Sequence, residues 1–207
     1  YDLTVLYIQG KPGIGKSTLA RDIALEVQGA LENVGLRGGS YSASSKNPFD
    51  NYSGEEILIL DDLREDSLAP ADWLKLFDPI NSARMSARYR NKLVVPRLVI
   101  MSAYMSPKQF FGQIQEEDIN QYLRRVNYSS EIARKHGMEE RFYSVSEVRE
   151  NRENGHYQRP DGSSVVLNFD YEDLFCSQDK DDFIRKLLED CIYPRILPKK
   201  AKDVTND

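Results

Sequence analysis

The sequence predicts an α/β domain organised around a largely parallel sheet. Three observations lead there: predominantly apolar runs recur at residues 3–8, 57–60 and 98–101, helical periodicity fills parts of the intervals, and a glycine-rich turn joins the first run to the first helix. Strands buried on both faces read as continuous apolar runs, and parallel neighbours need crossover connections between them. The 207 residues carry 28 Lys plus Arg against 33 Asp plus Glu, a formal charge of −5, with 40% hydrophobic side chains. That composition excludes wholesale disorder and suits one medium domain, alone or with a small appendage.

Residues 3–8 (LTVLYI) form the first strand, and residues 9–15 supply Gly and Pro punctuation. From Lys16 onward Leu19, Ala20, Ile23, Ala24, Val27 and Leu31 recur at helical spacing. A short strand is predicted at 40–43, a loop at 47–54 and a buried strand at 57–60. Pro70 opens a helix over 71–77. The third buried strand, 98–101, is taken to end before Pro107, and 117–126 reads as a helix. Beyond Ser144 the pattern changes: Asp161-Gly162 between strand-like runs signals a hairpin over 156–169, a short amphipathic helix covers 183–191, and a polar tail follows. The expected organisation is a core over 1–145, a hairpin-and-helix appendage over 146–197 and a tail over 198–207.

Several function classes drop out at this stage. No apolar run approaches the ~20 residues of a membrane helix. Two cysteines, Cys176 and Cys191, and two distant histidines, His136 and His156, argue against a disulfide scaffold or a histidine metal cluster. Both cysteines are expected to be reduced packing residues of a cytoplasmic protein. The chain starts at Tyr1 directly with a strand and carries no leader pattern, so it is expected to be part of a longer protein. Between residues 79 and 115 it carries Arg84, Arg88, Arg90, Lys92, Arg97 and Lys108 with no acidic residue, a local +6 within an acidic chain. Local charge of that kind is what attracts nucleic acid, although many charge runs are only solvated faces.

The chemistry-bearing motif is Gly10-Lys11-Pro12-Gly13-Ile14-Gly15-Lys16-Ser17, a complete Walker A pattern between a strand and a helix. Backbone N–H groups of such a loop cradle phosphates, the lysine adds a point charge, and the serine hydroxyl can ligate Mg²⁺. The positive end of the following helix faces the same anion. A nucleoside triphosphate ligand follows, with Gly10, Pro12, Gly13, Gly15, Lys16, Ser17 and Thr18 as binding residues. The apolar strand ILIL then ends abruptly in Asp61-Asp62. Carboxylates at the C-terminal edge of a parallel sheet suit Mg²⁺ coordination by the first and activation of water by the second.

Lys16 to Asp62 spans 46 positions, and Ser102, closing the third strand, follows Asp62 by 40. This ordered set resembles the superfamily-3 helicases, a branch of the AAA+ ATPases. It is most similar to the helicase domain of rolling-circle Rep proteins from circular single-stranded DNA viruses and related bacterial plasmids. Residues 48–64 (PFDNYSGEEILILDDLR) resemble the aromatic-x-x-Tyr lead into that family's Walker B strand, and 118–126, ending Leu-Arg-Arg-Val, resembles its arginine-finger helix. The likeness covers residues 3–126. It implies a P-loop AAA+ sheet flanked by helices, with a basic β-hairpin inserted. It further implies ATP and Mg²⁺ as cofactors, single-stranded DNA as partner and a homo-oligomeric, hexameric ring moving 3′ to 5′.

By that resemblance Asp61 and Asp62 are the Walker B pair and Ser102 lies on the sensor strand. The family commonly has Asn where this chain has Ala103, so Ser102 or Tyr104 substitutes or the contact is lost. Arg125 is the finger residue, with Arg124 as the alternative, and Arg84, Arg88, Tyr89, Arg90 and Lys92 contact DNA. The family's nicking domain carries a His-hydrophobic-His motif that this chain lacks, which assigns any nicking to sequence preceding Tyr1. A bacterial cytoplasm is favoured, or a nucleus for a eukaryotic virus. Two other functions share the cradle: an ATP-dependent DNA-binding switch or loader, and a nucleotide kinase. The basic interval and the Leu-Arg-Arg helix count against the kinase.

Overall fold

The computed structural model describes residues 3–43, 48–62, 64–78, 83–85, 92–134 and 139–198. Strand β1 (Thr4–Gly10) leads into helix α1 (Lys16–Asn33), followed by β2 (Ser40–Ala43) and β3 (Ile57–Asp61). A 3-10 turn (Glu65–Ser67) and helix α2 (Pro70–Leu76) come next, then β4 (Ala83–Met85), β5 (Lys92–Val94) and β6 (Leu98–Ala103). Helices α3 (Pro107–Phe111) and α4 (Ile119–Leu123) precede three further strands, β7 (Tyr128–Arg134), β8 (Arg141–Gln158) and β9 (Ser164–Ser177). Helix α5 (Lys180–Lys186), a π-helical turn (Leu187–Ile192) and α6 (Tyr193–Ile196) end the described chain.

Seven strands form one sheet in the order β2-β3-β6-β1-β7-β8-β9. The pairs from β2 through β7 are parallel, and β7–β8 and β8–β9 are antiparallel. The predicted α/β class with a largely parallel sheet is what the chain adopts. Period-two alternation along β1 sends Val5 and Tyr7 into one core and Leu6 and Ile8 into the other. The first core packs beneath α2, α3 and α4 around Trp73, Phe77, Phe110, Phe111 and Tyr122. Phe111 and Tyr122 stack at 4.9 Å, and Trp73 meets Phe110 edge-on at 5.7 Å. The second core joins the apolar stripe of α1 to Phe183, Leu187, Leu188, Cys191 and Ile192.

Several sequence expectations need correction. Pro107 does not merely follow the third strand; it occupies the first turn of α3, where its missing N–H is no loss. Ser106 caps that helix with Gln109 in a reciprocal capping box. The helix expected over 117–126 is confined to α4, which starts where the Asp118 side chain accepts from the Asn120 amide at 3.0 Å. Strand β7 went unread because its fully buried Ser130 and nearly buried Ser129 break the apolar run. Its backbone is satisfied between β1 and β8.

The hairpin at Asp161-Gly162 is present, with Asp161 Oδ1 accepting from the Ser163 amide at 2.9 Å. Its strands are much longer than 156–169, however, and position 145, the expected core boundary, lies inside β8. The helix expected over 183–191 is α5 continued by the π-helical turn. Cys191 packs in the core as expected, whereas Cys176 is exposed on β9, an edge strand that faces solvent. The basic insertion contains an antiparallel pair, β4 with β5, in which Arg84 opposes Leu93 and Met85 opposes Lys92. Arg88, Tyr89 and Arg90 lie outside the described residues, as does the tail from 199 onward. Among the described residues no helix is long and apolar enough to cross a membrane.

Candidate nucleotide-binding site

The loop between β1 and α1 lies at the C-terminal edge of the parallel strands. Gly13 and Gly15 have φ of 72° and 111°, left-handed values that side chains rarely adopt. Gly10 is constrained differently: a Cβ there would sit 2.8 Å from the Ile132 carbonyl oxygen of β7. The three glycines therefore divide between shaping the loop and letting β7 pass close beneath it. Helix α1 opens on Gly15 with no side-chain cap and no acidic residue in its first turn. Its leading N–H groups and positive dipole end carry no competing internal anion.

The nearly buried Lys16 ammonium donates to the Gly10 and Lys11 carbonyls at 2.9 and 3.3 Å. Ser17 Oγ donates to Asp61 Oδ1 at 3.0 Å, and Ser102 Oγ donates to the same oxygen at 2.5 Å. The Asp62 amide in turn donates to Ser102 Oγ at 3.3 Å. Sheet order produces this convergence, since β6 lies between β1 and β3 with Ser102 in register with both Ile8 and Asp61. Asp62 is exposed at φ 53°, an uncommon left-handed conformation that Asp tolerates better than most residues.

These groups border a cleft of about 640 Å³. Pro12, Gly13, Lys16 and Ser17 form one wall, Asp61 and Asp62 the next, and Ala103, Tyr104, Met105 and Phe110 contribute the side beyond β6. A serine hydroxyl beside a carboxylate is a hard-oxygen donor pair that fits Mg²⁺. Ala103 is buried, whereas Tyr104 is 64% exposed at the mouth of the cleft. The Tyr7 hydroxyl holds this segment by donating to the Met105 carbonyl at 2.9 Å. Thr18 is exposed on the first turn of α1 and is not among the cleft residues.

Arg125 is not brought to the cleft within one subunit. It follows α4, is half-buried, and its Nη1 donates to the Gln121 carbonyl at 2.6 Å. Burial lowers its pKa from the usual arginine value, Arg124 adds to that effect, and Asp78 opposes it. Its neighbour Arg124 is exposed. Four cleft residues were given no role in the sequence reading: Arg64, Glu65, Met105 and Phe110, of which Arg64 and Glu65 are the charged ones. For the charged pair, the place two and three positions after Asp62 was the available signal.

Comparison with known proteins gives three relatives. The RNA helicase family matches residues 6–104, from β1 through Tyr104. A replication protein of Onion yellows phytoplasma (strain OY-M) is 35% identical over 133 residues, 63% of this chain and 33% of that protein. The genome polyproteins of Human klassevirus 1 and of Salivirus A (isolate Human/Nigeria/NG-J1/2007) are each 37% identical over 81 residues, 38% of this chain and 3% of theirs. The chain therefore spans about a third of the length of the replication protein it matches.

Proposed function

We propose that this chain is a superfamily-3-type helicase domain of a Rep-type replication protein, similar as it is to the RNA helicase family over residues 6–104 and to a phytoplasma replication protein, and that it is an ATP-driven motor on single-stranded DNA. It hydrolyses ATP at the subunit interfaces of a hexameric ring and acts in the host cytoplasm. The observation that carries the reading is the convergence of Ser17 and Ser102 on Asp61 beside the Walker A loop. In this reading Lys16 swings from the loop carbonyls to the β- and γ-phosphates. Ser17 and Asp61 would hold Mg²⁺, which would neutralise phosphate charge. Asp62 accepts the proton of the attacking water, and Ser102 fixes the Asp61 carboxylate. Arg125, or its exposed neighbour Arg124, reaches the neighbouring subunit's nucleotide and stabilises transition-state charge.

The basic segment supplies the strand contact: Arg84, Arg88, Arg90 and Lys92 pair with phosphates while Tyr89 stacks on a base. Replacing Arg88, Arg90 and Lys92 together with Gln is expected to weaken single-strand affinity. The salt slope should flatten by roughly 0.7 per lost contact. Basal ATPase should persist, because the nucleotide cleft is lined by other residues. An unchanged slope returns the segment to an ordinary solvated loop.

The testing experiment is ATPase measured with and without single-stranded DNA, alongside strand displacement. A motor shows stimulation and unwinding; a loader shows stimulation without unwinding; a nucleotide kinase shows neither but transfers phosphate to a nucleotide acceptor. A parallel arm with single-stranded RNA is warranted by the RNA helicase description of the matching family.

A further inference from the structure

We propose that Arg64 is a second phosphate-contacting cation of the cleft, acting within its own subunit on the terminal phosphate of a bound nucleoside triphosphate. The inference rests on the nucleotide-site reading and adds to it a residue that distinguishes triphosphate from diphosphate. Arg64 borders the same cleft as Lys16, beyond Asp61 and Asp62. A bound triphosphate cradled by the loop would direct its terminal phosphate toward the carboxylate pair that would hold Mg²⁺, in the same cleft that Arg64 lines.

Backbone and side chain of this arginine are held very differently. The Arg64 amide donates to Ser67 Oγ at 2.9 Å, and its carbonyl accepts from the Ser67 amide at 3.0 Å. The next residue is pinned to the core, because the indole N–H of fully buried Trp73 donates to the Glu65 carbonyl at 3.1 Å. The guanidinium, by contrast, is exposed, and among the described residues no ion pair engages it. A cation on an anchored backbone needs little reorganisation to meet an incoming anion. Its planar fork can take two oxygens of one phosphate at once.

Charge in the cleft points the same way. Asp61, Asp62 and Glu65 line it together with Lys16 and Arg64. Mg²⁺ bound by Asp61 and Ser17 offsets part of the acidic excess, but the terminal phosphate would still lie beside Asp62 and Glu65. A guanidinium at that end offsets the repulsion without consuming the Asp62 carboxylate needed for water. Arg125 cannot serve this role in a lone subunit, since it is not among the cleft residues and its Nη1 is engaged by Gln121.

The test is Mg²⁺-dependent titration of a non-hydrolysable ATP analogue and of ADP into the parent protein, Arg64→Ala, Arg64→Lys and Lys16→Ala. It is run at concentrations where the protein is monomeric. Arg64→Ala is expected to weaken analogue binding about tenfold or more, the worth of one charged hydrogen bond. ADP affinity should be unchanged, and Arg64→Lys should recover part of the loss. Equal losses for both nucleotides, or no loss for either, overturn the assignment. If the parent binds and Lys16→Ala does not, such a failure belongs to Arg64 alone. If the parent binds neither nucleotide, the nucleotide-site reading falls and the Arg64 assignment with it.

Discussion

Lys16→Ala is expected to reduce ATP affinity by about a hundredfold or more while the protein stays folded. Its ammonium already occupies the throat of the loop, donating to the Gly10 and Lys11 carbonyls. Two charged hydrogen bonds to phosphate, each worth about 1.5–3 kcal/mol, are what the substitution removes from the complex. The free protein loses less, because neutral carbonyls are the partners there. Exposing them to water should cost stability on the order of 1 kcal/mol. Titration with a fluorescent ATP analogue, paired with urea unfolding, separates the two effects. Retained affinity would remove Lys16 from the site.

Asp62→Asn is expected to bind ATP like the parent and to hydrolyse it about 10²–10⁴ times more slowly, the usual loss of a general base. The backbone makes this substitution unusually clean. Asp62 sits at φ 53°, and Asn tolerates that left-handed conformation as Asp does. Its contact to Ser102 Oγ is donated by the main-chain N–H and survives the change. Asp62→Ala would instead mix lost chemistry with added backbone strain. The discriminating readout is kcat against KM: the asparagine variant should lose kcat with KM nearly unchanged. Hydrolysis at the parent rate would show that another group activates water.

Those residues were legible in the sequence because their chemistry coincides with strong local patterns. The Walker A glycines stand between an apolar strand and an amphipathic helix, and Asp61-Asp62 ends a wholly apolar strand. The role of Ser102 was legible only as a strand end, since its bond to Asp61 depends on β6 lying between β1 and β3. Strand order is a long-range property that no local pattern encodes. Strand β7 was missed for a related reason: Ser129 and Ser130 are buried, their backbone paired on both sides, so polarity there does not report exposure. The C-terminal helix was legible as an amphipathic segment, but not its packing. Phe183 and Leu187 share one core with Leu19 and Ile23 of α1. Arg64 closes the 48–64 stretch without a role of its own there, and its place beside the cleft depends on the turn that the Trp73–Glu65 contact fixes.

The central claim is that hydrolysis occurs between subunits, with an acidic pair from one and an arginine from the next. It is tested by mixing Asp62→Asn subunits with subunits carrying both Arg124→Ala and Arg125→Ala, after each is shown to assemble. The paired substitution covers both the tethered and the exposed arginine following α4. Each protein alone should be nearly inactive. The mixture should regain ATPase, because some interfaces then join an intact Asp62 to an intact arginine. Activity no greater than the sum of the separate proteins at every mixing ratio would contradict the claim and place the arginines outside the neighbour's site.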